Sequence, residues 1–178
     1  MLNTVGWFRR IGARLLAFPR VAAFLGAVGW MGVIWWTSSF SPKEAPRRYD
    51  WRAVVQNFLH APAFGVLAAL WILSLPRRGD WPRLSLAERA LVVALTLGYG
   101  IVDELHQASV PGRDLSVLDL TTDAVAAVCV LWIVDYLGRP GANEPGLGRR
   151  FALGLLACLA SALAATHVPR LFPEIAWF

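Results

Sequence analysis

Three short stretches hold most of the side chains that could do chemistry. Gln56, Asn57 and His60 form the first; Asp103, Glu104, His106 and Gln107 the second, with Arg113 close behind; Ser116, Asp119 and Asp123 the third. Spacings of three and four residues put Gln56 and Asn57 with His60, Asp103 with Gln107 and Tyr99, and Ser116 with Asp119 and Asp123 on common helix faces. An imidazole beside carboxylates is suited to general acid–base work, with His60 and Asp103 the candidates, and the planar fork of Arg113 suits a phosphate or carboxylate. Asp103, Glu104 and Asp119 could share a divalent cation, the one cofactor the residues suggest. Residues 103 to 123 contain five of the chain's twelve acids and a single arginine. Carboxylates this crowded repel one another unless a cation or basic ligand joins them. There is no Gly-rich phosphate loop, zinc-type spacing or nucleophile elbow, and no nucleophile stands out.

The elements that must position these residues are membrane helices. The chain has 178 residues, 57% hydrophobic and only 16% charged, with a mean hydropathy of +0.51. A soluble domain carries about a quarter charged residues, so the shortfall points to lipid. Uncharged runs extend from Val21 to Pro42, Ala53 to Pro76, Ala90 to Val102 and Phe151 to Pro169, and an apolar stretch from Leu115 to Leu137 carries Asp119, Asp123 and Asp135. At 1.5 Å per residue, about 20 residues cross the hydrocarbon core, and the run from Ala90 spans only if Asp103 and Glu104 end the same helix. The expected architecture is all-α: one membrane domain over residues 1–178, a polytopic bundle of about five transmembrane helices. Residues 1–18 read as a basic amphipathic interfacial segment, with Trp7, Phe8, Ile11, Leu15 and Phe18 on one side and Arg9, Arg10 and Arg14 flanking it. The first run is too long for a cleaved signal and lacks a small-x-small site. Cys129 and Cys158 read as packing residues rather than a disulfide or metal site. No internal repeat is found.

The net charge of +5 does not indicate a nucleic-acid partner, because the basic residues lie between apolar runs rather than along one face. They encode topology instead. With the N-terminus cytoplasmic, eleven of the 17 Lys and Arg fall on the inner side (Arg9, Arg10, Arg14, Arg20, Arg77, Arg78, Arg83, Arg89, Arg139, Arg149, Arg150), as the positive-inside rule requires. Lys43, Arg47, Arg48, Arg52, Arg113 and Arg170 fall outside. This orientation brings Ser38, Ser39 and Ser41, the Gln56–His60 group, the Asp103–Gln107 group and the Ser116–Asp123 group to the outer face. An acid at a helix centre costs roughly 2.5–3.5 kcal/mol on insertion scales, so these acids must face partners or water.

Each group also has a purely structural reading. His60 could bond a carbonyl or an Asp across helices. Glu104, about 100 degrees around the helix from Asp103, could be solvated at the helix end. Asp119 and Asp123 could serve the helix dipole, and Arg113 could be a turn residue after Pro111-Gly112. Asp114 and His106 are expected to face solvent, and the tryptophans, Trp177 included, to face lipid or the interface.

The strings Asn57-x-x-His60-x-x-x-Phe64-x-x-Leu67, Asp103-Glu104-x-x-Gln107-x-x-Val110-Pro111-Gly112-Arg113 and Ser116-x-x-Asp119 resemble the VanZ-like family of small bacterial membrane proteins, over a core of about residues 36–134. The family often has Asn at the position of Asp123 and Gly at that of Ala126. The resemblance implies a protein of the cell envelope, the family being named for one associated with resistance to the glycopeptide teicoplanin; it implies no reaction. Three functions follow: an outer-face pocket (Asn57, His60, Asp103, Glu104, Gln107, Arg113, Asp119, Asp123) for a lipid-linked or glycopeptide-related ligand; an intramembrane enzyme acting on a phosphate-bearing headgroup; or an assembly partner whose polar residues lock helices together. Transport is the weakest reading, because the inner half of the helices is apolar. Topology is tested by reporter fusions after Phe40 and Leu75: the first should report an external site and the second a cytoplasmic one. A cytoplasmic signal at Phe40 would overturn the outer-face assignment.

Overall fold

The computed structural model describes residues 4–40, 51–76, 79–113 and 115–171, without the side chains of residues 170 and 171. Ser41, Lys43, Arg47, Arg48, Arg77, Arg78, Asp114, Trp177 and the Arg170 side chain lie outside the described residues. Among those described there are six helices and no strand: α1 (Thr4–Ala17), α2 (Arg20–Ser38), α3 (Trp51–Ser74), α4 (Leu86–Gln107), α5 (Val117–Leu137) and α6 (Glu144–Leu171). Four of them, α2, α3, α5 and α6, are long and apolar enough to cross a membrane. Helix α4 matches them in length with 22 residues but carries Glu88, Arg89, Asp103 and Glu104. Its buried face runs Val92, Thr96, Tyr99, Gly100, Asp103, Gln107, while Leu91, Leu95, Ile101, Val102 and Leu105 are exposed. The fifth expected span is thus a helix with its polar stripe turned into the bundle and its apolar stripe turned out, the arrangement lipid demands.

Helix α6 starts at Glu144, seven residues before the expected Phe151. Pro145 is pre-set for a first helical turn, and the amphipathic Arg150 guanidinium lies over the Tyr136 ring at 3.7 Å and near that of Trp132 at 5.0 Å. A charge that ends an apolar run need not end a helix.

Helices α3 and α5 form the centre, with α2 and α4 against one side and α6 against the other. Their interface is lined by Phe64, Leu67, Ala68, Ala127 and Leu131. Ala61, Ala126 and Cys158 meet where α3, α5 and α6 converge. In lipid no hydrophobic drive brings helices together, so small residues matter because they let backbones approach and dispersion contacts form. Cys129 and Cys158 are free thiols, one on α5 and one on α6. The outer surface is a belt of exposed large apolar side chains, among them Val21, Phe24, Leu25 and Trp36 on α2 and Leu153, Leu155, Leu156 and Leu159 on α6.

The two ends of the bundle differ. At one, α1 is docked across α5 and α6, with Val5 buried against Tyr136, Leu137 and Leu147. Arg9 donates to the carbonyls of Leu137 (2.8 Å) and Arg139 (2.5 Å), satisfying acceptors that the end of α5 leaves open. Asp135 accepts from Arg89 at 2.7 Å and Arg139 at 2.9 Å. Trp81, from the α3–α4 connection, closes this end: its Nε1 donates to the Val134 carbonyl at 2.8 Å. Its ring lies where a Cβ on Gly12 or Gly138 would come within 2.6 Å. Replacing Trp81 by Ala removes that wedge and should destabilise the protein by about 3 kcal/mol, the low end for an aromatic truncated at a packed position. Thermal denaturation in detergent measures it, and an unchanged melt would show that α1 and α5 hold together without the wedge.

Candidate functional site

The opposite end gathers the polar residues, and helix ends alone explain why. The chain runs up α2, down α3, up α4 and down α5, so the end of α2, the start of α3, the end of α4 and the start of α5 share one end of the bundle. A turn then brings Arg113 back over α4. The Arg113 N–H donates to the Val110 carbonyl at 3.1 Å, with Pro111 and Gly112 between them and Gly112 at φ +81°. Pro at the second position and Gly at positive φ at the third are the demands of a type II turn. The turn holds the Arg113 side chain where Nε donates to the Phe40 carbonyl (3.2 Å) and Nη1 to Gln107 Oε1 (2.9 Å).

Gln107 passes the connection inward: its Nε2 donates to Asp103 Oδ2 at 2.8 Å. Asp103 is 1% exposed and Glu104 2%. The alternative that Glu104 is solvated at the helix end therefore does not hold. The turn folds the start of α5 onto it, and Glu104 Oε2 accepts the Ser116 backbone N–H at 2.7 Å, where the unpaired amides of a helix start favour negative charge. Asp119, in the first turn of α5, is capped by Ser116 Oγ, which accepts its N–H at 3.2 Å. Asp119 is buried, within electrostatic reach of His60, Arg113 and Asp103. His60 Nδ1 meets Asp123 Oδ1 at 3.2 Å, joining α3 to α5, and the imidazole stacks parallel to Phe64.

Four buried carboxylate oxygens have no hydrogen-bond partner: Asp103 Oδ1, Glu104 Oε1, Asp119 Oδ1 and Asp123 Oδ2. An unmet buried acceptor costs about 1–3 kcal/mol and more when charged, so a cluster serving only to lock helices would be expected to pair them. Beside them opens a cavity of about 150 Å³ lined by Gln56, His60, Asp103, Gln107 and Arg113, with Ile34, Leu59, Ala63 and Phe64 as an apolar wall and Thr37 and Ser38 at its side. Three donor groups, those of His60, Asp103 and Glu104, lie within 4.8 Å of one another. The cation set expected from spacing was Asp103, Glu104 and Asp119; the structure puts His60 with the first two.

Two other expectations are corrected. Asn57 does not share the cavity face with Gln56 and His60: its Nδ2 donates to Thr166 Oγ1 on α6 at 3.0 Å. His106 does not simply face solvent. It stacks on Trp35, centroids 3.7 Å apart, and its Nε2 meets Ser39 Oγ at 2.9 Å, fastening α4 to α2. Sequence reasoning missed Ser161, whose hydroxyl meets those of Thr121 and Thr122, and Gly100. A Cβ on Gly100 would lie 2.7 Å from Asp123 Oδ2 and 3.0 Å from a Leu120 methyl. A glycine one turn before Asp103, in a helix that otherwise gains nothing from it, was the available signal. Gly100→Val should push Asp123 off its seat at about 1–3 kcal/mol of stability, the usual range for overpacking. A detergent melt reads the loss and the His60 imidazole resonances read its separation from Asp123; a wild-type melt would mean α4 and α5 part freely.

The profile of the VanZ/LLP1 family matches residues 21–138, from the first residues of α2 to the residue that ends α5, and so spans every side chain of the cluster except the α6 partners. Searches of curated proteins and of solved structures found no match.

Proposed function

The chain belongs to the VanZ/LLP1 family, and we propose that this multi-pass membrane protein uses its polar cavity, on the outer face of the membrane, to bind the phosphate-bearing headgroup of an envelope lipid, a lipid-linked cell-wall precursor being the ligand class. The observation that carries the reading is the setting of Arg113. Two of its guanidinium nitrogens are fixed by Phe40 and Gln107, Nη2 has no partner among the described residues, and the side chain borders a cavity with one apolar wall. A fixed planar fork beside an apolar surface is suited to an anionic headgroup whose chain continues into lipid. Teicoplanin tolerance would follow if that ligand is part of the wall machinery the antibiotic attacks.

A second reading is favoured by the His60–Asp123 contact, which fixes the imidazole as a base is fixed by its orienting carboxylate. In it, His60 and Asp103 transfer protons during chemistry on the same headgroup. Binding is preferred because no hydroxyl or thiol is hydrogen-bonded to His60 or Asp103 among the described residues.

The test is to purify the wild type and Arg113→Ala, His60→Ala and Asp103→Ala with native lipid and measure retained lipid phosphate by mass spectrometry. Loss of a charge-assisted contact worth about 1.5–3 kcal/mol should lower retention by about tenfold or more in Arg113→Ala. The variants should also lose teicoplanin tolerance at unchanged membrane level. Variants that vanish from the membrane while lipid retention per molecule is unchanged would favour helix locking.

A further inference from the structure

The headgroup reading leaves an electrostatic problem. Asp103, Glu104, Asp119 and Asp123 all lie beside or behind the cavity, with His60 and Arg113 as the cationic candidates facing them. An anion entering there meets a net negative surface unless something positive comes with it.

The hydrogen bonds around the acids say what that is. Asp103 is held through Oδ2 by Gln107 and Glu104 through Oε2 by the Ser116 amide. In each case the other oxygen, Asp103 Oδ1 or Glu104 Oε1, is buried and has no partner. His60 is held through Nδ1 by Asp123, which leaves Nε2 as its coordinating nitrogen. Each of the three side chains therefore has one atom pinned by the protein and one unused, and the three donor groups come within 4.8 Å of one another. A carboxylate behind a histidine, orienting the ring and raising its basicity, is the usual support of a metal-bound imidazole. Around a tetrahedral ion the donors would be roughly 3.3 Å apart, and the 4.8 Å limit within which these three lie leaves that closure to side-chain rotation.

We propose that His60, Asp103 and Glu104 bind one divalent transition-metal ion, with Asp123, Gln107 and the Ser116 amide as its supporting shell. One imidazole and two carboxylates suit Zn²⁺ or Mn²⁺ better than the all-oxygen sets that hold Ca²⁺ and Mg²⁺. His60 and Asp103 line the cavity while Glu104 lies behind it. The ion keeps a coordination position open toward the cavity, and with Arg113 it forms a two-point clamp for a phosphate. This inference rests on the headgroup reading for the ion's purpose, though not for its existence.

The experiment uses the full chain in nanodiscs, stripped with chelator and titrated with Zn²⁺ and Mn²⁺ by calorimetry, with a melt at each end point. The wild type should bind about one ion per chain and melt higher when loaded. Asp103→Asn and Glu104→Gln, which keep size and hydrogen-bonding oxygens, should each weaken binding by tenfold or more. Asp123→Asn should weaken it by about 10–100-fold, as loss of a supporting carboxylate does. His106→Gln should leave it intact, which separates this site from adventitious binding by another imidazole. No binding by the wild type, or binding indifferent to Asp103→Asn and Glu104→Gln, overturns the proposal. Native lipid phosphate retained by the detergent-purified protein of the same preparations, measured before nanodisc assembly, tells the two readings apart. Ion bound with no lipid retained sinks the headgroup reading and leaves the ion site standing; lipid retained without any ion binding does the reverse.

Discussion

Four carboxylates with almost no access to water, in a bundle whose outer surface is apolar, set the terms for the rest of the molecule. A buried acid in lipid must be given donors, a counter-charge or a ligand. Much of the architecture at that end meets this demand. The Pro111-Gly112 turn returns Arg113 toward Asp103 through Gln107. The same turn lays the start of α5 on Glu104. Asp123 reaches His60 because Gly100 leaves it room, and Ser116 caps the turn of α5 that carries Asp119. The demand is met only in part, since one oxygen of each acid remains unpaired. That incompleteness is what the proposed ligand site rests on.

At the other end the Asp135 carboxylate is paired. Asp135 there takes both Arg89 and Arg139, Arg9 covers the carbonyls that end α5, and Trp81 fills the gap between two glycines. No carboxylate oxygen at this end is buried and unmatched among the described residues. The contrast within one small bundle makes the unpaired oxygens informative. The unmatched buried atoms elsewhere are nitrogens, Trp71 Nε1 and Arg150 Nε, and none belongs to an acid.

Helix α4 connects the two. Its start is closed by a capping box between Ser85 and Glu88 beside the paired arginines, and its finish carries Asp103, Glu104 and Gln107. A Tyr99 hydroxyl hydrogen-bonded to the Met31 carbonyl and the His106–Trp35 stack tie it to α2 along the way. The long helix that stands outside the four apolar candidate spans is the one whose removal would leave the site without a wall. Pro62 lies inside α3, two residues after His60; lacking an N–H, it cannot supply the helical donor to the Phe58 carbonyl.

The linear chain by itself determined the class of the protein and the end of the bundle at which its polar residues meet. Span lengths follow from bilayer thickness, and alternation of direction then decides which helix ends are neighbours, with no knowledge of packing required. The resemblance carried by Asn57, His60, the Asp103–Arg113 string and Ser116-x-x-Asp119 was likewise readable, because a linear pattern suffices for it. Only the tertiary structure decided which way each polar side chain turns. Helical periodicity says that Asn57 and His60 can share a face, yet α6 draws Asn57 to Thr166; it sets Glu104 apart from Asp103, yet the fold of the turn buries both. It could not pair His60 with Asp123, because the residues are 63 positions apart and meet through the crossing of α3 and α5. A helix face is a property of three or four neighbouring residues. What that face touches depends on every other helix, and the chemistry of this site depends on what it touches.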